Sequence, residues 1–129
     1  MIYLDSCLII YAVEDDSARG DMVRQKMADG GASAGVVSPL VTMECLVGPL
    51  KNEDLVLHDQ YVRALALFAR APLGEEQFMR AAMLRARHGL KAMDALHLAA
   101  AQMFGCKALW TGDARLAAAA PGFALNVLA

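Results

Sequence analysis

The chain has 129 residues, 57% hydrophobic and 20% charged, with a formal net charge of −2. That length suits a single domain, expected over 1–129, with enough apolar content for a core without disulfide or metal staples. The balanced charge excludes a polyelectrolyte-type nucleic-acid binder, so any phosphate contact must come from a local basic patch, and no apolar run approaches the ~20 residues of a membrane span.

In chain order, Ile2 to Leu4 is an apolar run of buried-strand type, and Asp5-Ser6 offers a cap for a helix over Cys7 to Val13. Glu14 to Gly20 is a polar break. A second helix is expected over Asp21 to Ala28, with Met22, Val23 and Met27 as its apolar side and Asp29-Gly30-Gly31 as its stop. Ala34 to Val37 is a second strand. Ser38-Pro39 starts a helix over Leu40 to Val47, ended by Gly48-Pro49. A longer helix is expected over Glu53 to Arg70, with Leu57, Tyr61, Leu65 and Phe68 inward. Ala71 to Leu73 is at most an edge strand. The next helix, Glu75 to Arg87, is expected to turn Phe78, Ala82 and Met83 inward.

The stretch from Lys91 to Phe104, KAMDALHLAAAQMF, is apolar nearly all round, which marks a helix buried within the domain. Lys107 to Thr111 is a strand, Ala114 to Ala120 an Ala-rich helix, and Ala124 to Leu128 a last strand. Short apolar strands alternating with helices predict an α/β domain with a central, mostly parallel sheet. Cys7, Cys45 and Cys106 form no CxxC. With no secretion-type leader before them, they are expected as reduced, buried thiols of a cytoplasmic protein.

Open parallel sheets bind ligands outside the carboxyl ends of their strands. Asp5 and Asp113 follow two such ends, Glu44 lies on the helix after the second strand, and Asp94 begins the buried helix. Carboxylates gathered there repel one another unless a cation intervenes, and an oxygen-only set suits Mg²⁺ or Mn²⁺. Each acid also has a plainer reading. Asp5 and Asp113 are good helix caps, Glu44 can be a half-exposed helix residue, and Asp94 can be a buried hydrogen-bonded group. His97, three residues after Asp94, is expected as a satisfied core histidine rather than a ligand. Lys91, one helical turn before Asp94, is the first candidate for phosphate contact, followed by Arg85, Arg87 and Arg115.

Taken together, YLDSCLIIYA, TMECLVG, AMDALHLAAA and LWTGDARL resemble the PilT N-terminal (PIN) domain, and within it the VapC-type toxins of toxin–antitoxin pairs. The resemblance spans nearly the whole chain in the right order. It implies a three-layer fold of about four to five short strands flanked by helices. It further implies a ribonuclease whose acidic quartet, here Asp5, Glu44, Asp94 and Asp113, binds Mg²⁺ or Mn²⁺, with Ser6 and Thr111 as supporting hydroxyls. The implied partners are an RNA substrate, a cognate antitoxin that covers the groove, and a second copy of the chain. Gly112 departs from the family pattern, which commonly has Asn there, and so lacks an amide beside Asp113. Two other classes compete. One is a non-catalytic binding module on the same fold. The other is a phosphoacceptor receiver domain, disfavoured because a single Asp5 is followed by Ser6-Cys7 instead of a second acid.

Overall fold

The computed structural model describes residues 1–30 and 35–128. Its sheet contains β1 (Ile2–Leu4), β2 (Gly35–Val37), β3 (Ala69–Arg70), β4 (Ala108–Thr111) and β5 (Ala124–Asn126). The strand order is β3-β2-β1-β4-β5, and every pairing is parallel. Between the strands run α1 (Ser6–Glu14), α2 (Ala18–Gly30), α3 (Pro39–Lys51), α4 (Leu55–Leu65), α5 (Glu75–His88), α6 (Ala92–Met103) and α7 (Ala114–Ala119).

Parallel neighbours need long crossovers, and the crossover helices cover both faces of the sheet. The central strands therefore read as unbroken apolar runs instead of alternating ones. Tyr3, Val36, Val37 and Leu109 are fully buried. The helix α6 is buried from Ala95 through Ala101 except at Leu96, as its all-round apolar sequence predicts. The chain adds β2 on one side of β1 and β4 on the other. Strand order thus reverses at β1/β4, and a crevice opens beyond their carboxyl ends.

Several boundaries differ from expectation for identifiable reasons. Gly48-Pro49 does not end α3, which continues to Lys51. Proline costs a helix one backbone donor. Pro49 is buried here, however, and the turn beyond it is secured by Asn52 N–H to Gly48 O at 3.0 Å and Asp54 N–H to Pro49 O at 2.9 Å. The helix expected to reach Arg70 stops at Leu65. Tight turns at Leu67 and Phe68 follow, and Ala69–Arg70 pairs with β2 at the sheet edge, two residues earlier than the strand expected at Ala71 to Leu73. No Gly or Pro marks this break, so pairing with β2 decides it.

The inward face of α5 is Gln77, Ala81 and Leu84, while Phe78, Ala82 and Met83 are exposed. Gln77 turns inward because its amide oxygen accepts the Gly74 N–H at 2.8 Å, and the small Ala81 lets α5 lie close on α6. Gly89, at φ 65°, ends α5 in the left-handed conformation that favours glycine. In α2, Val23 is buried but Met22 is exposed, and the helix starts at Ala18, within the expected polar break. Gly31 and Ala34, expected in a helix stop and a strand start, lie outside the described residues.

Candidate functional site

The Asp5 backbone occupies the N-cap position of α1, yet its side chain makes no capping hydrogen bond. It turns instead to the neighbouring strand end. The β1/β4 register sets Leu4 opposite Trp110, and Asp5 N–H continues the ladder to Trp110 O at 3.0 Å. The Thr111 hydroxyl then donates to Asp5 Oδ2 at 2.7 Å, while the Ser6 hydroxyl and the Cys7 thiol lie at 3.5 Å. Glu44 projects from α3, and its Oε1 accepts the His97 Nε2 hydrogen at 2.7 Å. Asp94 stands in the first turn of α6. Asp113 follows β4 and does cap α7, since Arg115 N–H donates to its Oδ1 at 2.9 Å.

These four acids line one cleft of about 440 Å³, together with Ser6, Cys7 and His97. The cleft lies where the strand order reverses, the place where such sheets take ligands. Thr111, fully buried, supports it from beneath. The expected quartet is thus brought together.

The acids sit in unequal fields. Burial alone would raise the Glu44 carboxyl, but the hydrogen bond and charge of His97, with help from Ser6, hold it below the usual range. Asp94 is pushed up by burial and then by the neighbouring charge of Asp113, against the pull of Arg115. The Arg115 guanidinium reaches Asp113 at 3.5 Å and Asp94 at 4.0 Å. Cys7 is pushed up to about 12 by burial and by the charge of Asp5. It stays a thiol at neutral pH, a weak donor rather than a nucleophile. The three cysteines are free thiols; Cys45 and Cys106 are buried and Cys7 is half-buried.

One ligand atom each from Asp5, Glu44 and His97 falls within a 4.8 Å cluster. Asp94 and Asp113 add carboxylate oxygens across the same cleft. This donor set fits a divalent cation.

Among the candidate phosphate contacts, Lys91 and Arg115 line a second groove of about 410 Å³, which shares Asp94 with the first. Arg85 instead donates through its Nε to Leu90 O at 3.0 Å, bracing the turn before α6. Arg87 is exposed and lines neither groove. His97 is a satisfied histidine, as expected, with both ring nitrogens bonded. Its place between Glu44 and Asp5 was not foreseen; its only sequence signal is its position one turn after Asp94. At Gly112, the backbone N–H donates to Cys7 Sγ at 3.3 Å. A Cβ there would stand 2.6 Å from Leu128 Cδ1, so asparagine would require Leu128 to move.

Residues 2–121 match the PIN domain family. The chain belongs to that family. A comparison with curated proteins gave no match. Among solved structures, this PIN domain is similar to a toxin–antitoxin complex chain from Klebsiella pneumoniae, at 22% identity and a TM-score of 0.81 over 98% of each chain. It is similar to FitAcB from Neisseria gonorrhoeae at 21% identity and a TM-score of 0.83, again over 98% of each chain. It is also similar to VapC20 of Mycobacterium tuberculosis, a sarcin-ricin loop cleaving toxin, at 18% identity and a TM-score of 0.76 over 98% of each chain. At these identities the shared feature is the fold. Among the described residues, no helix is long and apolar enough to cross a membrane.

Proposed function

We propose that this PIN domain is a metal-dependent endoribonuclease and the toxin member of a toxin–antitoxin pair. The observation that carries the proposal is the convergence of Asp5, Glu44, Asp94 and Asp113 on one cleft at the carboxyl ends of β1 and β4. Family membership and the likeness to toxin structures support it.

Asp5, Glu44, Asp94 and Asp113 would hold Mg²⁺ or Mn²⁺. Such an ion, when bound, polarises a phosphoryl oxygen and eases deprotonation of water. Thr111 and Ser6 orient Asp5, and Glu44, kept ionised, offers a fixed acceptor toward the cleft. Lys91 and Arg115 stand along the adjoining groove, where a backbone phosphate of single-stranded RNA would find positive charge. An antitoxin segment and a second copy of the chain are the proposed protein partners. Val47, Leu50, Leu55 and Val56, 56 to 71% exposed on α3 and α4, offer apolar surface for such contacts.

The test is cleavage of a mixed RNA pool by purified protein with Mg²⁺ or Mn²⁺ against EDTA, with Asp94→Asn beside wild type. Metal-dependent cutting that disappears in the variant is the expected result. Folded, partner-free protein that cuts under neither metal would favour a binding module on the same fold.

A further inference from the structure

Beneath the cleft, four side chains from four segments form one hydrogen-bonded line. Ser38 Oγ, at the end of β2, lies 2.7 Å from Tyr3 Oη on β1. Tyr3 Oη lies 2.8 Å from His97 Nδ1 on α6, and His97 Nε2 lies 2.7 Å from Glu44 Oε1 on α3. Ser38, Tyr3 and His97 are buried, at 0%, 0% and 2% exposure. Glu44 and the edge of His97 line the cleft, and Tyr3 and Ser38 lie behind them.

The direction of the line follows from its ends. An ionised carboxylate only accepts, so the imidazole must present Nε2–H to Glu44. The other nitrogen meets a hydroxyl, which can donate or accept, and the Ser38 hydroxyl takes up whichever role Tyr3 leaves open. Nε2–H is therefore held toward Glu44 whichever charge the ring carries. Nε2 is also 3.6 Å from Asp5 Oδ1, so the imidazole stands between two carboxylates that would otherwise repel.

Resting on the nuclease reading above, we infer that His97 is a positioning residue. It fixes the Glu44 carboxylate so that its second oxygen faces the cation site, and Tyr3 and Ser38 fix His97 in turn. Glu44 has several rotatable bonds and a partly exposed side chain. Without a partner it would point to solvent for much of the time, and a divalent ion would bear the entropy of ordering it. The competing role is direct ligation, because His97 shares the 4.8 Å cluster with Asp5 and Glu44.

The experiment is Mn²⁺ titration of the full chain, read by electron paramagnetic resonance, with melting temperature recorded beside it. His97→Leu should weaken Mn²⁺ binding by about ten- to a hundredfold. His97→Gln, whose amide can still donate to Glu44, should recover most of that loss. Tyr3→Phe, which keeps the ring and removes the hydroxyl, should weaken binding several-fold. These losses should not track the melting temperatures. Unchanged affinity in folded His97→Leu overturns the inference, as does nitrogen coupling from an imidazole in the spin-echo spectrum, which would make His97 a ligand. If His97→Leu does not fold, Tyr3→Phe decides, and wild-type affinity there overturns it equally. Absence of Mn²⁺ binding in wild type would sink the nuclease reading itself, and this inference with it.

Discussion

Asp5 and Glu44 on one wall of the cleft, and Asp94 and Asp113 on the other, are acids held by different means. On the first wall each carboxylate has a fixed donor: the Thr111 hydroxyl for Asp5 and the His97 imidazole for Glu44. Glu44 consequently sits below the usual carboxylate range. On the second wall Asp113 is held by the Arg115 N–H, but Asp94 has burial and the charge of Asp113 against it, and its nearest cation, Arg115, stands 4.0 Å away on a largely exposed side chain. One wall is therefore organised before any cation arrives. The other carries charge that a cation would relieve.

The sharpest way to break this comparison is to neutralise one acid on each wall. Asp5→Asn and Asp94→Asn should both lower RNA cleavage by about a hundredfold or more, since several kcal/mol of transition-state stabilisation rest on the ion they would hold. Equal cleavage by either variant and wild type would remove that acid from the site. Stability should separate the walls. Asp5→Ala strands the buried Thr111 hydroxyl, at a cost of about 1–3 kcal/mol and a melting temperature lower by several degrees. Asp94→Asn should raise the melting temperature of the metal-free protein. Thermal scans in EDTA read both.

Thr111→Val tests the donor side alone. It removes the bond to Asp5 and the acceptor for Asp113 N–H, which lies at 3.0 Å. Mn²⁺ affinity should fall about tenfold while the acids themselves are intact; an unaltered titration would show that Asp5 needs no such anchor.

Acidity gives a smaller, signed contrast. A carboxyl raised by folding binds its proton more tightly in the folded state, so the penalty of ionising Asp94 is absent at low pH and full above its folded pKa. The gain from Asp94→Asn should thus be largest at neutral pH and fade on acidification. Glu44 runs the other way. Its contribution to stability is present at neutral pH and lost as pH falls through its lowered pKa. Melting curves of Asp94→Asn and Glu44→Gln between neutral and acid pH would show opposite trends relative to wild type.

The smallest expected effect is at the rim. Lys91→Ala should reduce the slope of log affinity for RNA against log salt by about one, with a modest loss of binding. An unchanged slope would take Lys91 out of the phosphate path.

Much of this site was legible in one dimension because its key features are local. An acid at or just past the end of an apolar run emerges at a strand end, which is where Asp5, directly after β1, and Asp113, two residues after β4, stand. The composition of α6 announced its burial, and with it the cost of carrying Asp94. Other features misled. The expected inward face of α5 is Phe78, Ala82 and Met83, yet Gln77, Ala81 and Leu84 face inward because capping and close helix approach outweigh hydrophobic size there. The stop of α4 carried no Gly or Pro, so only the edge pairing of Ala69–Arg70 with β2 reveals it.

The sequence by itself determined the alternation of strands and helices, the parallel character of the sheet and the emergence of four acids toward one edge. These follow from hydrophobic periodicity and from which residues abut a strand end, both properties of neighbours along the chain. Only the tertiary structure decided how each acid is held. Thr111 meets Asp5 across 106 positions, and Tyr3 meets His97 across 94, because β4 pairs with β1 and α6 packs beneath the cleft. Hydrogen bonds act over about 3 Å, and only the fold determines which distant residues come that close.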